Sequence, residues 1–398
     1  MNIETWASNL NPPRVKLNHG LHLAYCTNIH RGEDWAETFE ALRTHTLAVR
    51  RRVCPTEAYA IGLRLSDRAA RELSEPAVLA GFRQWLSDEN CYVFTINGFP
   101  FGNFHGGRVK EQVYAPDWTS PERLEYTCRL FDLIAELVPE GVDGSVSTLP
   151  GSFKEFITDE TQEKAIRDHL WQCVEHIAAL SDRMGKRLHL GLEPEPLGWF
   201  ETSGETVAFF ESLEKEHPND VRLREHLGVN YDTCHLAVEY EEPHEALGVL
   251  AAEGIRISKL HLSAALKLKP NSVAREKLAA FKEDVYLHQV VERLPDGSLA
   301  RHRDLDVALA EDSSAEEWRV HFHIPLHSPD ADWFASTRDH IGGVLDSLKA
   351  DPSLCTHLEM ETYTWEVLPG AMKDRDVVEQ LAGEYEWTLG ELRTRGLA

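Results

Sequence analysis

The amino-acid sequence predicts a single (β/α)8 barrel, the TIM-barrel fold class, over residues 1–398. Three observations lead to this prediction. Short apolar runs alternate with longer segments of helical period along the chain, which is typical of a parallel sheet. Eight strand–helix units can be counted, and eight units favour a closed barrel over an open sheet. The sequence contains no G-x-G-x-x-G, the turn expected early in a doubly wound sheet.

The predicted elements follow one another in a regular order. Each predicted strand is a short run rich in apolar or β-branched residues, and each predicted helix carries apolar residues at helical spacing. The predicted strands are 21–27, 58–65, 91–97, 144–148, 188–193, 228–232, 257–262 and 356–361. The predicted helices are 34–51, two short stretches within 67–87, 121–137, 161–184, 204–215, 243–253, 335–350 and 377–395.

One stretch interrupts this alternation. After the strand predicted at 257–262, residues 283–293 and 299–304 alternate in polarity around Pro295-Asp296-Gly297, which predicts a β-hairpin. We therefore predict an insertion over 264–319 in a late βα loop. Such loops lie on the C-terminal face of a barrel, where active sites are found. The insertion is thus expected to be a lid or a partner-binding flap, with a passive addition as the alternative.

Composition excludes several classes of protein. The 66 acidic and 41 basic residues give a net charge of −25, which argues against a nucleic-acid partner because phosphates attract basic surfaces. The seven cysteines are scattered without a C-x-x-C pair, which indicates free thiols in a reducing compartment. The sequence has no secretory signal and no apolar stretch approaching about 18 residues, so we expect a cytoplasmic protein without a membrane span.

Two predicted strands end in residues that suit a metal ion. Glu193 closes an apolar strand and is followed by proline, where an unpaired carboxylate is costly. Asp232 closes another strand, and His235 lies three residues further on. A carboxylate and an imidazole at this spacing suit Zn²⁺, Mn²⁺ or Fe²⁺. The alternative for Glu193 is a structural carboxylate bonded to amides at the end of the barrel.

Two later strands add further candidates. His261 lies near the end of one strand, although a satisfied core histidine is the alternative. Lys259 shares its face and is predicted either to assist the site electrostatically or to pair with a carboxylate. Glu359 and Glu361 share a face of the last strand, and such neighbours repel unless a cation lies between them. We predict Glu361 as a metal ligand and Glu359 as a deeper supporting group.

Other residues are predicted to line the pocket. Glu195 could face the same way as Glu193 in an extended segment. His321 and His323 share one face of 319–327, and His323 is the better pocket candidate because it is nearer the expected mouth. Further candidates lie in loops or beside strand ends, with surface positions or ordinary packing as the alternative. These are His30, His105 and the aromatic residues Tyr25, Trp199, Tyr231, Tyr363 and Trp365.

The order of the candidate ligands resembles that of the xylose-isomerase-like TIM barrels. That superfamily includes sugar isomerases, ketose 3-epimerases, inosose dehydratases and the endonuclease IV group. Glu193-Pro-Glu-Pro is similar to the Glu-Pro-x-Pro of the isomerases, and Asp232-Thr-Cys-His235 matches their D-x-x-H step. His261 and Glu361 take the last two ligand positions. The resemblance implies that these five residues hold a divalent metal, and that Glu193 and Glu361 exchange protons with the substrate as in the epimerases.

The chain looks closer still to the EboE-type metabolite traffic proteins, which are associated with bacterial gene clusters that move or prepare a precursor for export. The resemblance extends over most of the chain. Asn97, in one of the matching segments, is predicted to support the pocket. The segments are residues 25–35, 95–100, 193–196, 231–235 and 361–365.

These observations lead to one main hypothesis and two alternatives. The main hypothesis is a single divalent ion, Zn, Mn, Fe or Mg, that chelates vicinal oxygens of a small polyol or sugar-like metabolite for isomerisation or epimerisation. The first alternative is a non-catalytic trafficking component that uses the insertion to bind other proteins of the same cluster. The second is a metal-dependent phosphodiesterase of the endonuclease IV kind, which the net charge disfavours.

Overall fold

Short buried strands form the centre of the fold. The computed structural model describes residues 17–102, 104–105, 107–369 and 375–398. The strands in this part of the chain are β1 (His22–Tyr25), β2 (Tyr59–Arg64), β3 (Cys91–Asn97), β4 (Gly144–Thr148), β5 (Leu188–Leu192), β6 (Leu227–Asp232), β7 (Arg256–Leu262), β8 (Leu266–Leu268), β9 (Val290–Arg293), β10 (Leu299–His302), β11 (Glu317–Val320), β12 (Ala335–Ser336) and β13 (His357–Met360).

Eight of these strands form one parallel sheet that curves into a barrel. Their order is β1-β13-β7-β6-β5-β4-β3-β2, so neighbours in the chain are neighbours in the sheet wherever no insertion intervenes. The two end strands, β1 and β2, are joined by a parallel bridge between Cys26 and Gly62. The predicted (β/α)8 fold class is confirmed. Because all eight strands run the same way, their carboxyl ends meet on one face.

The helices pack around this barrel. They are α1 (Trp35–Ala41), α2 (Leu47–Val53), α3 (Asp67–Leu73), α4 (Pro76–Asp88), α5 (Pro121–Leu137), α6 (Glu160–Met184), α7 (Ser203–Glu216), α8 (Val221–His226), α9 (Thr233–Val238), α10 (Pro243–Ala252), α11 (Ser272–Leu278), α12 (Leu305–Ala310), α13 (Arg338–Ala350) and α14 (Val377–Thr394). Side-chain caps fix several helix starts, including that of α6, which Asp159 caps. Gly185, with φ 64°, follows the last residue of α6 and caps its C-terminus. No helix in the described ranges is long and apolar enough to cross a bilayer.

Two of the predicted helices differ clearly from the sequence prediction. The helix predicted over 34–51 is divided into α1 and α2 by a π-helical turn at Leu42–Thr46. The helix predicted from 335 begins instead at Arg338, because Ala335 and Ser336 pair with β8. Local periodicity cannot predict this pairing, because β8 lies about 70 residues earlier in the chain.

The insertion folds into a second, antiparallel sheet beside the mouth of the barrel. Its strand order is β10-β9-β11-β8-β12. The predicted hairpin is present as β9 and β10, and Gly297 has φ 83° in its turn. The excursion extends to β12, beyond the predicted boundary at 319. Ion pairs attach it to barrel loops: Lys110 Nζ lies 2.6 Å from Asp304 Oδ2, and Arg301 lies 2.5 Å from Glu239.

Gly62 lies where β2 meets β1 to close the barrel, and it packs closely against the side chain of Glu359. A Cβ atom added there would lie 1.9 Å from Glu359 Oε1 and 2.7 Å from the Tyr25 carbonyl oxygen. We predict that Gly62→Ala lowers the free energy of unfolding by about 2 kcal/mol, measured by urea denaturation, because the buried carboxylate must move. The matched control is Gly81→Ala in α4, where a Cβ meets nothing within 4 Å. That change should stabilise by about 0.5–1 kcal/mol. Equal effects of the two changes would contradict the steric argument.

Candidate metal centre

Four side chains from four strand ends converge at the mouth of the barrel. Glu193 directly follows β5, Asp232 ends β6, His261 lies in β7, and Glu361 directly follows β13. All four are buried, with exposed fractions of 4% or less. One donor atom from each lies within 4.8 Å of the others, a spacing that could hold a metal ion. Four of the five predicted ligands therefore form one group, and the fifth, His235, lies beside it.

His261 is the centre of this group. Its Nδ1 lies 3.1 Å from Glu193 Oε1, 3.4 Å from Glu361 Oε2 and 3.5 Å from Asp232 Oδ2. Glu193 Oε2 and Asp232 Oδ2 are buried and have no hydrogen-bond partner. Three carboxylates thus surround one imidazole nitrogen, and two of their oxygens remain free to bind a cation.

The layer beneath determines which nitrogen of His261 carries the proton. Glu359 Oε2 lies 2.7 Å from His261 Nε2 and accepts a hydrogen bond from Lys259 Nζ at 2.5 Å. Burial alone would raise the pKa of Glu359, but Lys259 and His261 outweigh it and lower that pKa to about 2. An ionised carboxylate only accepts, so Nε2 of His261 is the donor and Nδ1 is available as a ligand. Lys259 and Glu359 therefore act as a supporting pair below the candidate centre.

The layer that contains Glu193, Asp232 and Glu361, called the upper layer, has too little positive charge to compensate these carboxylates. Burial raises the pKa of Glu361 to about 8, opposed by His261 and assisted by the neighbouring Glu193 and Asp232. Burial opposes protonation of His261, but the surrounding carboxylates raise its pKa well above the ordinary value. Both shifts mean that the group retains protons at neutral pH. A divalent cation would meet the same need, so the donor set fits a resident metal ion.

A second group of donors shares Asp232. It contains His235 and His323, whose Nε2 atoms lie 3.3 Å apart. His321 Nε2 lies 3.2 Å from His323 Nε2. A tetrahedral zinc ion bound to two nitrogens at about 2.0–2.1 Å separates them by roughly 3.3 Å. The His235–His323 pair and the His321–His323 pair therefore each have a spacing that suits metal ligands.

Partners on the far side of two of these rings orient their free nitrogens. The amide of Gln289 donates from Nε2 to the Pro196 carbonyl, so its Oε1 accepts from His321 Nδ1 at 2.7 Å. His323 Nδ1 donates to the Glu361 carbonyl oxygen at 3.1 Å. Each neutral ring then presents a lone pair at Nε2. Two lone pairs that face each other at 3.2 Å are favourable only with a cation or a proton nearby.

A cavity lies above the candidate centre. Its floor contains Glu193, Glu361 and His235. Asn28 and Asn97 donate hydrogen bonds from Nδ2 to Glu361 Oε1, at 2.8 and 3.1 Å. The remaining lining residues are Phe99, Pro100, Phe104, Lys110, Val113, Tyr114, Glu195, Tyr286, Leu287, Gln289, His321 and Tyr363.

Only some of the other predicted pocket residues line the cavity. Glu195 lines the cavity, and burial together with Glu193 raises its pKa well above the ordinary value. His323 lies behind the lining, between His235 and His321. His30 is not among the lining residues; its Nε2 contacts the Tyr25 hydroxyl and its ring stacks on His45. His105 is buried against Phe104, which does line the cavity. Among the five aromatic candidates, Tyr363 lines it.

Sequence reasoning missed several residues of the site. Asn28 follows the end of β1, so the same strand-end argument that identified Glu193 could have found it. Gln289 and Tyr286 carry no comparable signal, because they belong to the insertion and reach the cavity only through tertiary structure. Ser263 directly follows β7, so the strand-end argument could have found it as well. Its hydroxyl donates to Asp232 Oδ1 at 2.6 Å and leaves Oδ2 as the free oxygen.

The fold and site together define a (β/α)8 barrel with a candidate metal centre at its carboxyl face. No protein-family model and no curated protein matches the chain. Solved structures resemble it in fold. An L-ribulose 3-epimerase is 13% identical over 94% of this chain and 96% of its own, with a TM-score of 0.50. A D-tagatose 3-epimerase-like protein is 12% identical over 94% and 98%, also with a TM-score of 0.50.

A third structure extends the comparison. It is a xylose isomerase-like TIM barrel protein from Mycobacterium smegmatis in complex with magnesium, 15% identical over 95% of this chain and 97% of its own, with a TM-score of 0.47. The two epimerase-related structures, each with a TM-score of 0.50, share the fold of this chain. At such low identities the likeness establishes the fold, and function has to be argued from the site.

Metal affinity should depend on pH. Because Glu361, with a pKa of about 8, and His261, with a raised pKa, hold protons in the metal-free protein, a cation must displace them. We predict that affinity for Mn²⁺ rises with pH over the range below about 8. Calorimetric titration in buffers of different ionisation enthalpy would measure the released protons. An affinity that is constant below pH 8 would contradict this assignment.

Proposed function

We propose that this protein is a divalent-metal-dependent isomerase or epimerase that acts on a small polyol or sugar-like metabolite. The observation that carries the proposal is the convergence of Glu193, Asp232 and Glu361 on Nδ1 of His261, at 3.1–3.5 Å. Such oxygen and imidazole donors suit Zn²⁺, Mn²⁺, Fe²⁺ or Mg²⁺. A bound ion would polarise a carbonyl or hydroxyl group of the substrate. Glu193 and Glu361 line a cavity at the mouth of the barrel, where a small metabolite would lie.

Glu193 and Glu361 are the proposed proton-transfer groups. They follow β5 and β13, which are separated by β7 and β6 in the sheet, so their side chains enter the site from different strands. One carboxylate would take a proton from a carbon beside a carbonyl group, and the other would return a proton to the opposite face. Asn28 and Asn97 hold Oε1 of Glu361, which restricts the rotation of that carboxylate.

We further propose that the chain is of the EboE-type metabolite traffic kind, with a cytoplasmic location. Its substrate would then be a precursor prepared for export, and other proteins of the same cluster would be its partners. Three sequence segments that carry this resemblance contribute Asn28, Asn97 and Glu361, which form one hydrogen-bonded cluster. Contacts between segments so distant in sequence support a shared role at the site.

The proposal predicts metal-dependent exchange of a substrate proton with solvent. Metal-loaded protein should incorporate deuterium beside the carbonyl group of a free ketose such as fructose, measured by proton NMR in D₂O. Glu193→Gln and Glu361→Gln should lower the rate about 100-fold or more, because each removes a proton-transfer group. Glu276→Gln on the exposed face of α11 is the matched control and should leave the rate unchanged.

Measuring the metal content distinguishes a protein that lacks the metal centre from one that binds metal but does not catalyse exchange. Elemental analysis should find metal in the wild type and less in Glu193→Ala and Asp232→Ala. A wild type that retains no more metal than these variants, under varied metal supply, would contradict the proposed centre. Bound metal without exchange on a broad panel of ketoses would instead favour a binding role in trafficking.

A second candidate function is phosphoester hydrolysis, which requires two or three closely spaced metal ions. The specific observation in its favour is the second donor group, in which Asp232 accompanies His235 and His323. In this case Asp232 would belong to both groups. The net charge of −25 and the acidic cavity floor weigh against an anionic substrate, so we place this function second.

The number of bound ions distinguishes the two functions. Two-metal chemistry predicts about two ions per chain in the wild type and about one in His323→Ala, measured by elemental analysis after equilibrium dialysis. The matched control, His176→Ala on α6, should not change the count. One ion per chain in the wild type would contradict hydrolysis by this mechanism.

A further inference from the structure

The cavity has walls of a different chemical character from its floor. Carboxylates and imidazoles form the floor, whereas eight of the 17 lining residues are aromatic or aliphatic. These apolar residues come from the loops that follow the strands and from the insertion. A bare metal-chelating site for a small polyol requires no such wall. The wall is therefore a property of this chain that the candidate metal centre does not explain.

Three aromatic rings form the central part of this wall. Phe104 follows β3, Tyr286 belongs to the insertion, and Tyr363 follows β13. Their ring centroids are separated by 5.2 Å for Phe104–Tyr286, 5.3 Å for Phe104–Tyr363 and 5.2 Å for Tyr286–Tyr363. Rings at these distances support one another and bury large apolar area. We call these three residues the aromatic wall.

The insertion holds the aromatic wall in place. The Tyr286 hydroxyl donates to the Phe104 carbonyl oxygen at 3.0 Å. The backbone N–H groups of Val109 and Lys110 both donate to the Val285 carbonyl oxygen at 2.8 Å. These bonds join the loop after β3 to the insertion at the position of the rings. Hydrogen bonds between the two segments therefore fix the positions of the rings in the aromatic wall.

The charged residues of the cavity disfavour anionic ligands. Among its described lining residues, Lys110 is the only lysine or arginine, and its ammonium group is already paired with Asp304 Oδ2 at 2.6 Å. Glu193, Glu195 and Glu361 line the same space. A phosphate or carboxylate on the ligand, placed away from a bound metal ion, would find no free lysine or arginine among these residues to compensate its charge.

From the wall and the charges together, we propose that the ligand is an uncharged molecule with two adjacent oxygens and an apolar ring. This inference rests on the proposed function, because the adjacent oxygens are those that a bound metal would chelate. The oxygens lie toward Glu193 and Glu361, and the ring packs against the aromatic wall. Phosphorylated and carboxylated forms of the same molecule bind more weakly. The insertion therefore determines substrate choice through Tyr286.

Matched small molecules test this inference on the full chain loaded with Mn²⁺. 2-Hydroxyacetophenone and hydroxyacetone carry the same hydroxyketone, but only the first has a ring. We expect the ring to improve the dissociation constant at least about tenfold, measured by calorimetry. The 4-nitro and 4-carboxylate derivatives of 2-hydroxyacetophenone are similar in shape and differ in charge. The nitro compound should bind at least about tenfold more tightly.

Variants of the insertion test whether Tyr286 causes the preference for the ring. Tyr286→Ala should abolish the preference for the ring, whereas Tyr286→Phe retains it. Tyr240→Ala is the control for a loosened insertion, because its hydroxyl bonds to the Glu317 carbonyl oxygen outside the cavity. It should leave the preference intact.

Three results would overturn the inference. Equal affinities for the two hydroxyketones on metal-loaded protein would do so while leaving the proposed function standing. A ring preference that survives in Tyr286→Ala would also overturn it. Failure of the protein to bind Mn²⁺ in a separate titration would remove the proposed function and this inference with it.

Discussion

Mutual repulsion among buried carboxylates is the constraint on which the organisation of this barrel mouth depends. Glu193, Asp232, Glu359 and Glu361 all have exposed fractions of 4% or less. Carboxylates in such surroundings must be protonated, paired or bound to a cation. The parallel sheet brings them together because every strand ends on the same face. The way in which each charge is compensated therefore defines what the site can do.

The negative charges of these carboxylates are compensated differently in the two layers of the barrel. In the lower layer, Lys259 and His261 compensate Glu359, and Gly62 leaves room for its carboxylate. In the upper layer, compensation of Glu193 and Glu361 requires protons or an added cation, since the protein provides few positive groups there. A structural ion pair thus supports a group that fits a metal ion, and the hydrogen bond from His261 to Glu359 connects them.

The sequence could predict residues whose signal is local. Strand ends at Glu193, Asp232 and Glu361 were recognisable because apolar runs stop there, and parallel strands of a barrel end on one face. The hairpin was recognisable from its turn residues. The π-helical turn at Leu42–Thr46 and the pairing of β12 with β8 were not recognisable, since tertiary contacts override local periodicity at these positions.

By itself, the sequence determined the barrel, the position of the insertion and the residue types at the strand ends, because hydrophobic period and turn chemistry are properties of neighbouring residues. Only the tertiary structure decided which donors share a site. It grouped Glu193, Asp232, His261 and Glu361 and placed His235 with His323 beside them. It also brought an aromatic wall over the charged floor. Distances of 3–5 Å between residues far apart in the chain depend on strand register and loop packing, which no local pattern specifies.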